Sequence, residues 1–237
     1  PMLICGLQKL SLLDYPENLS ATIFTGGCNL RCPFCHNASL VLRPKDCEAI
    51  PANDVLSFLQ KRVGKLDGVC ITGGEPLLQP DLGDFISEIR RLGFKIKLDT
   101  NGAMPEALAA LLERGLIDYV AMDIKNSAEK YPLTVGIPSY DTAPIFQSAA
   151  YLMSGSIPYE FRTTLVRQFH SVSDIRQIGE ALRGAKHYYL QNFVNSGDLV
   201  GFSAKEEETP LSGFNPPEIE EFRHILLGFV ENVGIRG

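Results

Sequence analysis

The chain has 237 residues, 45% of them hydrophobic, enough to bury a full core and near the size at which one α/β domain over 1–237 is expected. Its 28 acidic and 22 basic side chains are scattered along the chain, and a net charge of -6 with no Trp offers nucleic acid neither a basic surface nor a visible stacking platform. No basic stretch with a long apolar run opens the sequence, and no segment approaches the ~18 apolar residues of a membrane span, so a soluble, cytoplasmic protein without a membrane partner is expected.

In chain order, residues 20–25 predict a strand, and Gly26-Gly27 then open a loop, about 26–43, that carries a cysteine cluster. Pro51-Ala52-Asn53-Asp54 starts a helix through Val55, Phe58, Leu59 and Val63, and residues 68–72 read as a short buried strand ending on Gly73-Gly74-Glu75-Pro76. The alternation repeats with a helix at about 80–92, a strand at 95–99, a helix at about 105–114 and a strand at 119–124. A helix at about 142–153, a strand at 159–164, a helix at about 172–182 and a strand at 187–191 complete it. The polar stretch 195–213 is expected as a surface loop, with a substrate-contacting flap as the alternative, inside a C-terminal extension of about 194–237. Asn215-Pro216-Pro217-Glu218 then begins a helix whose Ile219, Phe222, Leu226, Phe229 and Val230 form an apolar stripe.

Six strands separated by helices are repeated βα units, which need parallel pairing and right-handed crossovers. Six are too few for a closed eight-stranded barrel, so the expected fold is α/β, either open and doubly wound or a partial (β/α)6 barrel. In both, ligands bind at the carboxyl ends of the strands. The unusual residues fall there: the cysteine loop, Gly73-Gly74-Glu75-Pro76, Asp99-Thr100-Asn101-Gly102 and Asp123-Ile124-Lys125.

Cys28, Cys32 and Cys35 lie within eight residues, a spacing that chance would supply roughly four times in a thousand for a chain of this cysteine content. A structural zinc site needs a fourth ligand, and His36 is too close in sequence to Cys35 to close a tetrahedron comfortably. Ferredoxin-type spacing is absent as well, because Cys5, Cys47 and Cys70 do not continue the pattern. Those three are expected as buried or incidental thiols. His170, His187 and His224 are expected in packing or surface roles, and His36 as a hydrogen-bonding support of the cysteine loop. Three thiolates around four irons would leave one iron open to a ligand.

C-x3-C-x2-C after one strand and Gly-Gly-Glu-Pro after the next resemble the radical S-adenosylmethionine (SAM) superfamily over about residues 6–193. The resemblance implies a partial (β/α)6 barrel and a 4Fe-4S cluster on Cys28, Cys32 and Cys35, whose open iron chelates SAM. One electron would cleave SAM to methionine and a 5′-deoxyadenosyl radical. It also implies that Gly73, Gly74 and Glu75 hold the methionine amino group and that Phe34 lies against the adenine.

Leu12-Leu13-Asp14-Tyr15-Pro16, Phe24-Thr25-Gly26-Gly27-Cys28 and Cys35-His36-Asn37 narrow the resemblance to the glycyl-radical-enzyme activating proteins, most closely those serving anaerobic ribonucleoside-triphosphate reductase. The partner implied is a glycyl radical enzyme, from whose backbone glycine a hydrogen is taken; the alternative is a radical SAM enzyme acting on another glycyl radical enzyme of the pyruvate formate-lyase type, a peptide or a small molecule. With no second cysteine cluster, electrons are expected from an external ferredoxin or flavodoxin. By the same likeness Asp99, Thr100 and Asp123 would help bind a monovalent cation near SAM. Lys125 and Arg162 would contact SAM or substrate, or else form buried salt bridges with Asp99 or Asp123. Where the pyruvate formate-lyase activating enzyme has a histidine after its final strand, this chain has Leu190-Gln191-Asn192-Phe193, which carries no ligand assignment beyond apolar packing.

Overall fold

The computed structural model describes residues 1–195, 199–201 and 210–236. One sheet contains β1 (Ile4–Ser11), β2 (Ser20–Thr25), β3 (Gly68–Gly73), β4 (Lys95–Thr100), β5 (Tyr119–Asp123), β6 (Tyr159–Leu165), β7 (His187–Asn192) and β8 (Asn232–Arg236), in that spatial order. The connecting helices are α1 (Ala38–Leu42), α2 (Ala52–Gln60), α3 (Leu82–Arg91), α4 (Pro105–Glu113), α5 (Tyr131–Thr134), α6 (Ala143–Ser154), α7 (Val172–Ala181) and α8 (Pro216–Leu227). From β2 onward every neighbouring pair is parallel, whereas β1 runs antiparallel to β2. The six expected strands are therefore all present in a partial barrel, which β1 and β8 extend at its two edges. Among the described residues no helix is long and apolar enough to cross a membrane.

Helix boundaries follow local chemistry. Asn215 and Glu218 form a reciprocal capping box at the start of α8, with Pro216 and Pro217 in its first turn. Ser171 and Asp174 do the same for α7. In α3, Leu82, Phe85, Ile86 and Ile89 share one buried stripe, and Arg90 and Arg91 face the negative end of the helix dipole.

The strands alternate in an instructive way. Ile96 and Leu98 of β4 are fully buried in the same hydrophobic core as the α3 stripe, while Lys97 and Asp99 point to the opposite, inner face. That inner face is polar. Near its amino end the fully buried Glu160 of β6 takes both guanidinium Nη atoms of Arg236 of β8, at 2.6 and 2.8 Å, and accepts the Tyr119 hydroxyl at 2.8 Å. This bidentate pair pins the last strand.

Cys5 and Cys47 are not isolated thiols, as expected from the sequence, but form a disulfide. The physical reason is the antiparallel β1, which returns the chain beside the end of the cysteine loop: Gly26 N–H donates to Leu3 and Ile50 N–H to Ile4. The bridge spans a sequence separation of 42 and encloses Cys28, Cys32 and Cys35 within its loop. Cys70 is a buried free thiol, in line with expectation.

Candidate active site

The carboxyl ends of β2 to β7 surround a cavity of about 260 Å³. Its walls carry Cys28, Cys32, Phe34, Cys35, Gly73, Gly74, Asp99, Thr100, Asp123, Lys125 and Arg162. Of the residues expected to hold the cluster, SAM or a cation, Glu75 alone does not line it.

The cysteine loop leaves β2 through Gly26-Gly27 and is fastened on both sides. Arg31 N–H donates to Val135, and Arg31 Nη1 donates to the carbonyls of Cys28 and Leu30 at 2.7 Å each. His36 Nε2 lies 2.7 Å from the Val194 carbonyl and stacks on Phe193, so it supports the loop. The segment expected as a loop or flap, 195–213, lies largely outside the described residues. Its described part touches the cluster loop, Val200 N–H donating to Cys35 and Gly201 N–H to Pro33.

All three loop cysteines are free thiols. Burial pushes the Cys32 thiol up to about 12 and raises that of Cys28, where the Leu30 N–H pointing at the sulfur from 3.4 Å partly offsets it. Thiols in such surroundings become thiolates by binding metal, and the N–H groups aimed at Cys28 suit a ligated sulfur. Among the described residues no three His, Cys, Asp or Glu side chains converge as the ligands of a single ion. Three thiolates on one loop at the mouth of a cavity fit an iron–sulfur cluster, in which each binds a separate iron.

The Gly-Gly-Glu-Pro turn needs its glycines for close approach. A Cβ at Gly73, whose φ is +120°, would lie 2.3 Å from Thr25 N, and one at Gly74 would lie 1.9 Å from the Gly27 carbonyl oxygen. The turn thereby nests against the start of the cysteine loop, with Gly74 N–H donating to Thr25 and Glu75 N–H to Gly27. Asn37 Nδ2 donates to the Gly73 carbonyl at 2.9 Å. Glu75 is fully buried beneath the turn. Its carboxylate accepts from Leu77 N, Thr100 Oγ1 and Asn101 N at 3.1, 2.9 and 2.7 Å. Burial, against these three donors, raises its pKa to about 7. Glu75 thus joins two strand-end turns.

Opposite the turn lies a charge network. Register places Asp123 of β5 beside Arg162 of β6, and the guanidinium bridges two carboxylates, Nε to Asp123 at 2.9 Å and Nη1 to Asp99 at 3.2 Å. Lys125 pairs with Asp123 at 2.8 Å, and Lys97, 2% exposed, pairs with Asp99. The salt-bridge reading of Lys125 and Arg162 is therefore realised, and both still face the cavity. Burial disfavours both carboxylates, but Arg162 outweighs it, with Lys97 at Asp99 and Lys125 at Asp123, so both stay below the ordinary range. For Lys125 and Arg162 burial is likewise overcome, by Asp123 first, and both remain cationic.

Four residues carry roles that the sequence alone did not assign. Asn101 bonds Asn29 at 2.8 Å and directs its amide toward Cys28, tying the β4 end to the cysteine loop. Asn37 holds Gly73, and Lys97 looks in sequence like a solvent-facing alternate of β4. Gln191, expected within an apolar stretch, also lines the cavity. His170 is buried against the Lys125 and Val166 carbonyls, a packing role.

The radical SAM superfamily model matches residues 22–179. A candidate glycyl-radical enzyme activating enzyme of Methanocaldococcus jannaschii is 32% identical over 99% of this chain and 95% of its own length. The pyruvate formate-lyase-activating enzyme of Listeria monocytogenes is 32% identical over 91% of this chain and 90% of its own. Among solved structures, Streptococcus suis SuiB bound to S-adenosylmethionine superposes with a TM-score of 0.64 at 16% identity, covering 89% of this chain and 48% of that one. A domain of a pyruvate-formate lyase-activating enzyme from Bacteroides vulgatus gives 0.55 at 18% identity, covering 72% and 99%. The last two likenesses concern the fold, whereas the family match and the full-length relatives concern lineage: this chain belongs to the radical SAM superfamily, among relatives named as glycyl-radical enzyme activating enzymes.

Proposed function

We propose that this chain activates a glycyl radical enzyme by removing a hydrogen atom from a backbone glycine of that partner. The observation that carries the reading is the gathering of three free thiols, the two turn glycines and two cations around one cavity. When bound, a 4Fe-4S cluster held by Cys28, Cys32 and Cys35 would supply the electron for reductive cleavage of the SAM sulfonium.

The chain's own residues do the rest. Cys28, Cys32 and Cys35 hold the cluster, with Arg31 and Asn101 fixing the loop around it. Arg162 and Lys125 present positive charge to the SAM carboxylate. The Gly73 carbonyl has a second lone pair beyond its bond to Asn37, and with Gly74 it receives the SAM amino group. Phe34 offers an apolar face to the adenine. Glu75 acts by holding the turns that make these contacts, since its oxygens already accept three hydrogen bonds. Beyond the loop trio and the disulfide, the single remaining cysteine, Cys70, is buried, which supports an external ferredoxin or flavodoxin as electron donor.

The motif likeness names anaerobic ribonucleoside-triphosphate reductase as partner, and the Listeria relative favours pyruvate formate-lyase as the second reading. Anaerobic mixing of the reduced protein and SAM with each partner, followed by electron paramagnetic resonance, separates them: a glycyl doublet is expected with the true partner. No doublet with either, alongside intact SAM cleavage, overturns both partner readings and favours a peptide or small-molecule substrate.

A further inference from the structure

The residues expected to hold a monovalent cation are Asp99, Thr100 and Asp123, and in the structure each of their side-chain oxygens already has a partner. Asp99 Oδ1 pairs with Lys97 Nζ and Asp99 Oδ2 with Arg162 Nη1. Asp123 Oδ1 pairs with Arg162 Nε and Asp123 Oδ2 with Lys125 Nζ. The Thr100 hydroxyl donates to Glu75 and accepts from Gly102 N–H at 3.1 Å. Two carboxylates thus face three fixed cations, a surplus of one positive charge before any ion arrives. A potassium or sodium ion needs uncommitted oxygen ligands, and here it would also meet repulsion from the three cations.

We infer that Lys97 is a built-in counter-cation: its ammonium occupies the place at Asp99 that a monovalent metal ion would need, so the site is held without potassium or sodium. Lys97 and Asp99 are two residues apart on one strand and project to the same face. Cys70, opposite Lys97 in the β3–β4 register, lies with its sulfur 3.8 Å from both the ammonium and the Asp99 carboxylate. At 2% exposure the Lys97 side chain needs a committed partner, and Asp99 is that partner. Lys97 does not line the cavity, so it is a positioning residue acting through Asp99, which shares Arg162 with Asp123. The surplus charge then falls on Arg162 and Lys125, the two cations at the cavity wall. Their service to SAM rests on the reading above, but the counter-cation role of Lys97 is testable without SAM.

The test compares anaerobically reconstituted protein in potassium, sodium and tetramethylammonium chloride at equal ionic strength, reading the thermal midpoint without SAM and the SAM dissociation constant separately. The unaltered protein is expected to show the same midpoint and the same SAM affinity in all three salts. Lys97→Met, which keeps the length and removes the charge, is expected to gain a midpoint rise specific to potassium or sodium and to bind SAM at least about fivefold tighter in that salt, as coupled binding requires. Lys97→Arg retains a cation and is expected to stay indifferent. A potassium- or sodium-specific rise in the unaltered protein overturns the inference, as does a folded Lys97→Met protein that ignores both ions. If Lys97→Met does not fold, the unaltered protein and Lys97→Arg decide alone. Failure of SAM binding in every salt, with the midpoints behaving as expected in all three proteins, counts against the SAM reading and not against the counter-cation.

Discussion

Two acid–arginine clusters lie inside one barrel, built in part from the same strand. Near the amino end of β6, Glu160 is matched bidentately by Arg236 and bonded by Tyr119. Two residues further on, Arg162 is shared between Asp99 and Asp123, with Lys97 and Lys125 added. The first cluster is charge-balanced and joins β8 to the sheet. The second carries a positive excess and borders a cavity beside three free thiols. A balanced buried pair has nothing left to offer a ligand, whereas a surplus of fixed charge at strand carboxyl ends awaits an anion. The contrast separates a structural from a functional network where residue type alone does not.

The largest expected effect removes the function altogether. Alanine at Cys28, Cys32 or Cys35 should abolish both cluster assembly and SAM cleavage, measured as iron and sulfide per chain after reconstitution and as 5′-deoxyadenosine formed. Retention of a full cluster by any one of the three variants breaks the assignment of the loop.

The two arginines sharpen the comparison directly. Arg162→Gln should weaken SAM binding by about a hundredfold, in keeping with loss of a charged hydrogen-bonding partner worth roughly 2–3 kcal/mol. Arg236→Gln should leave SAM affinity unchanged and lower stability by about 2–4 kcal/mol, because Glu160 stays buried without its cation. Equal effects of the two on SAM affinity would erase the distinction between the clusters.

A moderate effect is expected from the disulfide. Replacing Cys5 and Cys47 together by Ser should cost about 2–4 kcal/mol in denaturant unfolding, since the bridge restricts the unfolded chain. The cluster should still assemble, because neither cysteine belongs to the loop trio.

The smallest effect is one of pH. Glu75 has a folded pKa of about 7 against an ordinary 4.5, so across that window the folded state keeps a proton that the unfolded state has released. Its contribution therefore makes stability fall as pH rises from about 4.5 to 7. Asp99 and Asp123 act oppositely: depressed below 3.8, they contribute stability that is present above that value and lost in stronger acid. Glu75→Gln should flatten the decline between pH 4.5 and 7 in denaturant melts, and an unchanged slope would contradict the burial argument.

Much of this site was legible in the sequence because its chemistry sits at strand ends beside uncommon spacings. The cysteine triplet, the glycine turn and the Asp-Thr and Asp-x-Lys strand ends read out directly, and all but Glu75 reached the cavity. The edge strands did not read out. β1 carries Gly6 and a run of exposed residues without alternation, and β8 is five residues long with Gly234 at its middle. Lys97 was hidden by an inverted pattern: in β4 the apolar residues face the helices and the polar ones face the barrel interior, so a lysine that reads as solvated is buried. The Cys5–Cys47 bridge depends on β1 folding back, and no local spacing encodes that return.

The most direct measurement is product analysis of the anaerobically reconstituted, dithionite-reduced protein incubated with SAM. Formation of 5′-deoxyadenosine and methionine in equal amounts is the predicted result. A fully loaded cluster that leaves SAM intact under those conditions would contradict the central claim.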